Sequence, residues 1–172
     1  MLNTLKTSRG YLVSLLRKYS PLSAQAETLE DIYNYLPLSE TLSTSGQPSE
    51  EQFVLIKNAG FKHVINLAPH DAENSIRDEG ATLSALGIDY THIPVNFVKP
   101  SEKKFKAFVA RMNELEGQKV WLHCAANMRA SAFVFRYRTQ VLGLNVEKAN
   151  DDLQRIWQPV GVWRKFISTP NA

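Results

Sequence analysis

The chain has 172 residues, 44% of them hydrophobic, enough for one ordinary domain with a buried core. Its net charge of +3 arises from 20 basic and 17 acidic residues with no long run of either sign. Aromatic residues are not interleaved with arginine either, so the composition argues against a nucleic-acid partner. A single cysteine rules out an internal disulfide and a cysteine-rich zinc site, and no stretch approaches the roughly 20 apolar residues of a membrane span.

Residues 1–30 read as a segment outside the core, and residues 31–172 as the domain. Lys6 and Arg9 precede the apolar run Tyr11-Leu12-Val13-Ser14-Leu15-Leu16, and Ser23-Ala24-Gln25-Ala26 has the small residues of a cleavage site. Arg17 and Lys18 interrupt the run before that site. Two readings stay open: a degenerate export signal, or a surface helix or arm. The compartment follows from the choice, cytoplasmic by default and periplasmic if the signal works.

Pro37 and the polar stretch from Ser39 to Pro48 read as an irregular lead-in. Ser49 and Gln52 form a capping box that opens a helix with Phe53, Ile56 and Ala59 on one face, and Gly60 ends it. Val64 to Leu67 is a buried strand, followed by a turn at Pro69-His70-Asp71. Ile76, Leu83 and Leu86 suggest a second helix, which stops at Gly87. Ile88 to Val95 is the next strand. Ser101 then caps a helix with Phe105, Phe108, Val109, Met112 and Leu115 on one face. Lys119 to His123 is the third strand, and the helical pattern just after Arg129 carries Phe133, Val134, Tyr137 and Val141. Val146, Ala149, Leu153 and Ile156 mark a further helix, and Trp163, Phe166 and Ile167 a last turn.

Strands that alternate with helices of ten or more residues imply a three-layer α/β domain, with a mostly parallel central sheet flanked by helices. Sites in such sheets lie at the carboxyl ends of the strands. The loops after Leu67, Val95 and His123 should therefore meet at one mouth, and the third of them holds the cysteine.

Cys124 ends a strand and faces the start of a helix, whose unpaired N–H groups and positive dipole end favour anions and thiolates. A free thiol has a pKa of ~8.5, and a helix terminus with a nearby cation can lower it to ~3.5–7.5, so Cys124 is the candidate nucleophile. Burial as a small packing residue is its plain alternative. Arg129 offers a planar fork that matches two phosphate oxygens. His123 should point away from Cys124 and set the loop's shape through a hydrogen bond. Asn127 suits a left-handed backbone position. Ser131 could cap the helix or donate a hydrogen bond to the thiolate. Tyr35, Tyr90 and Phe97 either line the mouth or pack.

His123-Cys124, a small loop, Arg129 and Ser131 together resemble the phosphate-binding signature of cysteine-dependent protein tyrosine and dual-specificity phosphatases. Ser45-Gly46-Gln47-Pro48, Gly60-Phe61 with Val64-Ile65-Asn66-Leu67, and Gly87 through Val95 extend the likeness. As a set, these motifs resemble a bacterial group of small phosphatase-like domains, some fused to beta-lactamase-type hydrolases, and the resemblance runs from about Ser45 to Ile167. It implies a cysteine-phosphatase-like fold and hydrolysis of phosphate monoesters, on protein or small molecule, through a cysteinyl-phosphate. Backbone N–H groups of Ala125, Ala126, Asn127, Met128, Arg129 and Ala130, together with the Arg129 side chain, would hold the anion, inorganic phosphate or sulfate included. No metal or cofactor is implied.

Two departures bear on activity. The family signature has five residues between cysteine and arginine, and here there are four, with Ala130 where the arginine is expected. One residue on a helix turns a side chain by about 100°. The family's general acid, an aspartate after the second strand, is replaced by Asn96, which cannot protonate a leaving group. Asp71 is a substitute candidate, and Glu102 a weaker one that reads more simply as a first-turn helix residue. Such an enzyme would be slow or restricted to good leaving groups. The rival readings are a phosphate- or phosphopeptide-binding pseudophosphatase and a sulfurtransferase carrying a persulfide on Cys124.

Overall fold

The computed structural model describes residues 27–170. The expected N-terminal arm or signal therefore lies, through residue 26, outside the described residues. Among these residues are five strands: β1 (Leu36–Pro37), β2 (Leu42–Ser45), β3 (His63–Asn66), β4 (Asp89–His92) and β5 (Val120–His123). They form one sheet in the order β1-β2-β5-β3-β4, with β1 antiparallel to β2 and every other pair parallel. Six α-helices among the described residues flank it: α1 (Glu50–Asn58), α2 (Glu79–Ala85), α3 (Glu102–Glu114), α4 (Met128–Arg136), α5 (Val146–Ile156) and α6 (Val162–Ser168). Among the described residues no helix is long and apolar enough to cross a membrane.

The expected α/β architecture is present, and the sheet is wider than the sequence indicated. Residues 39–48, expected to be irregular, contain β2, which pairs in register with β5 from Leu42↔Val120 to Ser45↔His123. Its Leu-Ser-Thr-Ser sequence lacks the apolar run of a buried strand because its hydroxyls are satisfied internally. Ser45 Oγ donates to the Gly46 carbonyl and accepts from Trp121 Nε1 at 2.9 Å, and Thr44 Oγ1 accepts from Asn127 Nδ2 at 2.9 Å. A buried polar group is tolerated when it is hydrogen-bonded, so tertiary partners rather than side-chain type admit this strand to the core.

Side chains alternate across the sheet and divide the core in two. On one face Val64, Trp121, Phe53, Ile56, Phe61 and Leu83 pack with α1 and α2. On the other, Ile65, Leu67, Val120, Leu122 and Cys124 meet the helices α3 to α6. Here Phe133 stacks on Phe166 at 5.0 Å between centroids and meets Phe105 and Phe108 edge-on at 5.7 and 5.6 Å. Burying each such ring contributes roughly 1.5–3 kcal/mol.

Helix boundaries follow their caps. Ser49 and Gln52 form the expected reciprocal box, and Ser101 accepts from the Lys104 N–H. Ile76 lies before α2 rather than in it, because Asp78 Oδ1 takes the Ala81 N–H and starts the helix there. The helix after Cys124 begins at Met128, two residues before the apolar pattern suggests, so Arg129 is in its first turn. It runs on into a wider π-helical turn over Tyr137–Val141.

Candidate functional site

The carboxyl end of β5, the central strand, is where the candidate residues meet. Cys124 follows His123 and is wholly buried, its N–H donating to the Ser45 carbonyl at 3.3 Å. Four residues later, at Met128, α4 begins, and its N-terminus carries no side-chain cap. The reason is Asn127. This residue takes φ 63°, the left-handed conformation that asparagine tolerates better than most, and its amide turns away from the helix. Its Nδ2 donates to the Asn34 carbonyl at 2.8 Å and to Thr44 Oγ1, and Asn34 Nδ2 returns a hydrogen bond to the Ala126 carbonyl at 3.0 Å. Asn34 and Asn127 are also the two non-glycine residues with positive φ among the described residues. The N–H groups of α4's first turn thus stay open beside Cys124, as anion binding requires.

Further contacts fix the loop from both sides. Asn74 Nδ2 donates to the Ala125 carbonyl at 2.9 Å, and the Gln47 N–H donates to the same carbonyl at 3.3 Å. Gly46 forms a bridge with Ala126. A Cβ at Gly46 would lie 2.5 Å from the Tyr33 ring and 3.1 Å from the Ala125 carbonyl, so only glycine allows this approach.

A buried polar row lies on the α1/α2 side. Ser45, His123, Asn66 and His92 are aligned by register at the strand ends, so their side chains share one face. Under the row sits Glu79, 5% exposed, from the first turn of α2. It accepts from His123 Nε2 at 3.1 Å, from Asn66 Nδ2 at 2.8 Å and from Gln47 Nε2. Burial pushes the Glu79 carboxyl up, but the charge and hydrogen bond of His123, with the hydrogen bonds of Gln47 and Asn66, outweigh it and hold the group at about 2. An ionised carboxylate only accepts, so His123 Nε2 carries a proton, while its Nδ1 is buried without a partner. Burial and the Glu79 charge raise the Tyr90 phenol well above its ordinary value.

Arg129 lies in the first turn of α4, half-buried. Its guanidinium carbon is 5.3 Å from the centroid of the Phe97 ring, and its Nε is buried with no hydrogen-bond partner. Ala130 is fully buried in the core. Ser131 neither caps the helix nor turns to the sulfur, because it lies inside α4 and its Oγ donates back to the Met128 carbonyl at 3.2 Å. Asn96 is exposed, and its Oδ1 accepts the N–H groups of Val98 and Lys99 at 2.9 and 3.1 Å, shaping its loop. Asp71 is exposed on the turn after β3, a segment tied to the site through Asn74. Glu102 lies away from it, paired with Arg136 at 2.6 and 2.8 Å. Tyr35 stacks on Trp121 at 5.2 Å in the core and does not reach the mouth.

Glu79, Asn34 and Asn74 are not singled out by the sequence. Gln47 was visible as part of the Ser45–Pro48 motif, with no hint of its partner.

A mostly parallel sheet whose central strand leads into a thiol, followed by an uncapped helix with arginine in its first turn, defines a phosphatase-like domain of the tyrosine and dual-specificity kind. Residues 19–162 match the family described as PTP-NADK, a DSP-PTPase phosphatase fused to NAD+ kinase, and the chain belongs to that family. A beta-lactamase hydrolase-like protein of Agrobacterium fabrum (strain C58) is 34% identical over 96 residues, which are 54% of this chain and 22% of that protein. The chain thus covers only a minor part of the curated relatives it matches. A DUF442 phosphatase-like protein of Shewanella putrefaciens CN-32 is 33% identical with a TM-score of 0.73, the match covering 81% of this chain and 92% of that one. TpbA of P. aeruginosa, solved in complex with pTyr, shares the fold at a TM-score of 0.58 and 23% identity, covering 78% of this chain and 79% of that one.

Proposed function

We propose that this domain hydrolyses phosphate monoesters through a cysteinyl-phosphate on Cys124. The observation that carries the proposal is the junction after β5, where an uncapped helix N-terminus and an arginine with a free, buried Nε lie within five residues of the only cysteine. Backbone N–H groups from Ala125 to Ala130 and the Arg129 fork hold the equatorial phosphate oxygens. The Cys124 thiolate attacks phosphorus, a P–S bond forms and the ester P–O bond breaks. The departing alkoxide takes a proton from solvent, because Asn96 cannot supply one. Water then attacks phosphorus, releasing phosphate and restoring the thiolate. Lack of an acid in the Asn96 position favours aryl over alkyl leaving groups, since general acid catalysis is worth ~10²–10⁴-fold where it is needed.

Wild type should release phosphate from p-nitrophenyl phosphate, and Cys124→Ser should release none. Equal release by the two proteins would overturn the proposal. The complete burial of Cys124 and the engagement of Asn96 in its turn support a second reading, a domain that binds phosphate without turnover. On that reading inorganic phosphate raises Tm while release stays at background in both proteins. Thiocyanate formed from thiosulfate and cyanide by wild type alone would indicate sulfur transfer through Cys124 instead.

A further inference from the structure

The side chain expected to grip the anion has no hydrogen bond of its own to orient it at Nε, so its direction must come from packing. Arg129 rests on Phe97, and Phe97 in turn is held from the C-terminal helix. Trp163, 1% exposed at the start of α6, donates its Nε1–H to the Phe97 carbonyl at 2.8 Å. Its ring also packs on the Phe97 ring at 5.4 Å between centroids, with Trp157 behind at 5.9 Å. Phe97 is 36% exposed, and its ring carries the guanidinium of Arg129. Asn96 closes the turn through the N–H groups of Val98 and Lys99, leaving the Phe97 carbonyl for the indole.

We infer that Trp163 is a positioning residue for the anion pocket, fixing the Phe97 ring as the platform that aims the Arg129 fork. The inference rests on the reading that Arg129 holds the phosphate. Mere packing would need only an aromatic ring at position 163. The hydrogen bond adds a directional tie between α6 and the loop after β4, which sequence places 66 residues apart. A guanidinium on an aromatic face is attracted by the ring quadrupole, and losing that support frees the long side chain to sample other rotamers.

The test is binding of inorganic phosphate by titration calorimetry to wild type, Trp163→Phe, Phe97→Leu and Phe97→Tyr, each with and without Arg129→Ala. Trp163→Phe and Phe97→Leu should each weaken phosphate by about three- to tenfold, the range expected of a cation–π contact. Phe97→Tyr, which keeps the ring, should bind as wild type does. In the Arg129→Ala background neither change should matter, an outcome that a purely structural role would not produce. Unchanged affinity in Trp163→Phe and Phe97→Leu, or equal weakening with and without Arg129, would overturn the inference. If Trp163→Phe does not fold, the two Phe97 variants decide by the same criteria. Absence of saturable phosphate binding by wild type would instead overturn the reading of the pocket itself.

Discussion

Replacing Glu79 by glutamine probes the buried row beneath the cysteine loop. Glu79 is 5% exposed and accepts from His123, Asn66 and Gln47, so the isosteric amide sets a donating NH2 against at least one donor. Held at about 2 instead of its ordinary 4.5, the carboxyl contributes about 3 kcal/mol, at about 1.4 kcal/mol per pH unit. The folded-state pKa is depressed, so this contribution is fully present above pH 4.5 and is lost as pH falls toward about 2. Urea denaturation of both proteins should give a difference near 3 kcal/mol at pH 7 that holds down to about pH 4.5 and narrows below it. Other carboxylates titrate alike in both proteins and cancel. A difference under about 1 kcal/mol at pH 7, or one that does not narrow on acidification, would refute the reasoning.

Three more changes test the surroundings of the loop. Ser45→Ala strands the Trp121 indole N–H in the core and should cost about 1–3 kcal/mol in urea denaturation. Asn127→Ala loses both amide hydrogen bonds and strains a backbone at φ 63°, whereas Asn127→Gly loses only the bonds. The alanine protein should therefore be less stable than the glycine one by about 1 kcal/mol, as read from Tm. Asn96→Asp keeps an accepting oxygen for the N–H groups of Val98 and Lys99 and restores a titratable acid. Its kcat on alkyl phosphates should rise by about tenfold or more, with p-nitrophenyl phosphate little changed, and an unaltered ratio between the two substrates would count against Asn96 as the vacant acid position.

What the sequence determined by itself was local. Periodicity and caps identified the helices of Phe53 and Phe105, because Ser49 and Ser101 act on N–H groups within the same turn. Apolar runs revealed β3 and β5, and the chemistry of Cys124 with Arg129 drew attention to the loop between β5 and α4 without reference to any distant residue. Asn127 was legible too, since a left-handed conformation depends on one residue's own backbone. Tertiary structure alone decided the rest. β2 is a strand because β5 supplies its ladder and Trp121 and Asn127 satisfy its hydroxyls. Glu79 lies below the site because three side chains from β2's exit, β3 and β5 together outweigh the cost of burying its charge. Arg129 rests on the Phe97 ring, whose carbonyl Trp163 of α6 engages, and Ser131 turns to its own helix rather than to the sulfur. Each of these depends on partners far along the chain, whose approach is set by how the sheet and helices pack, and pairings of that kind leave no pattern in a local stretch of residues.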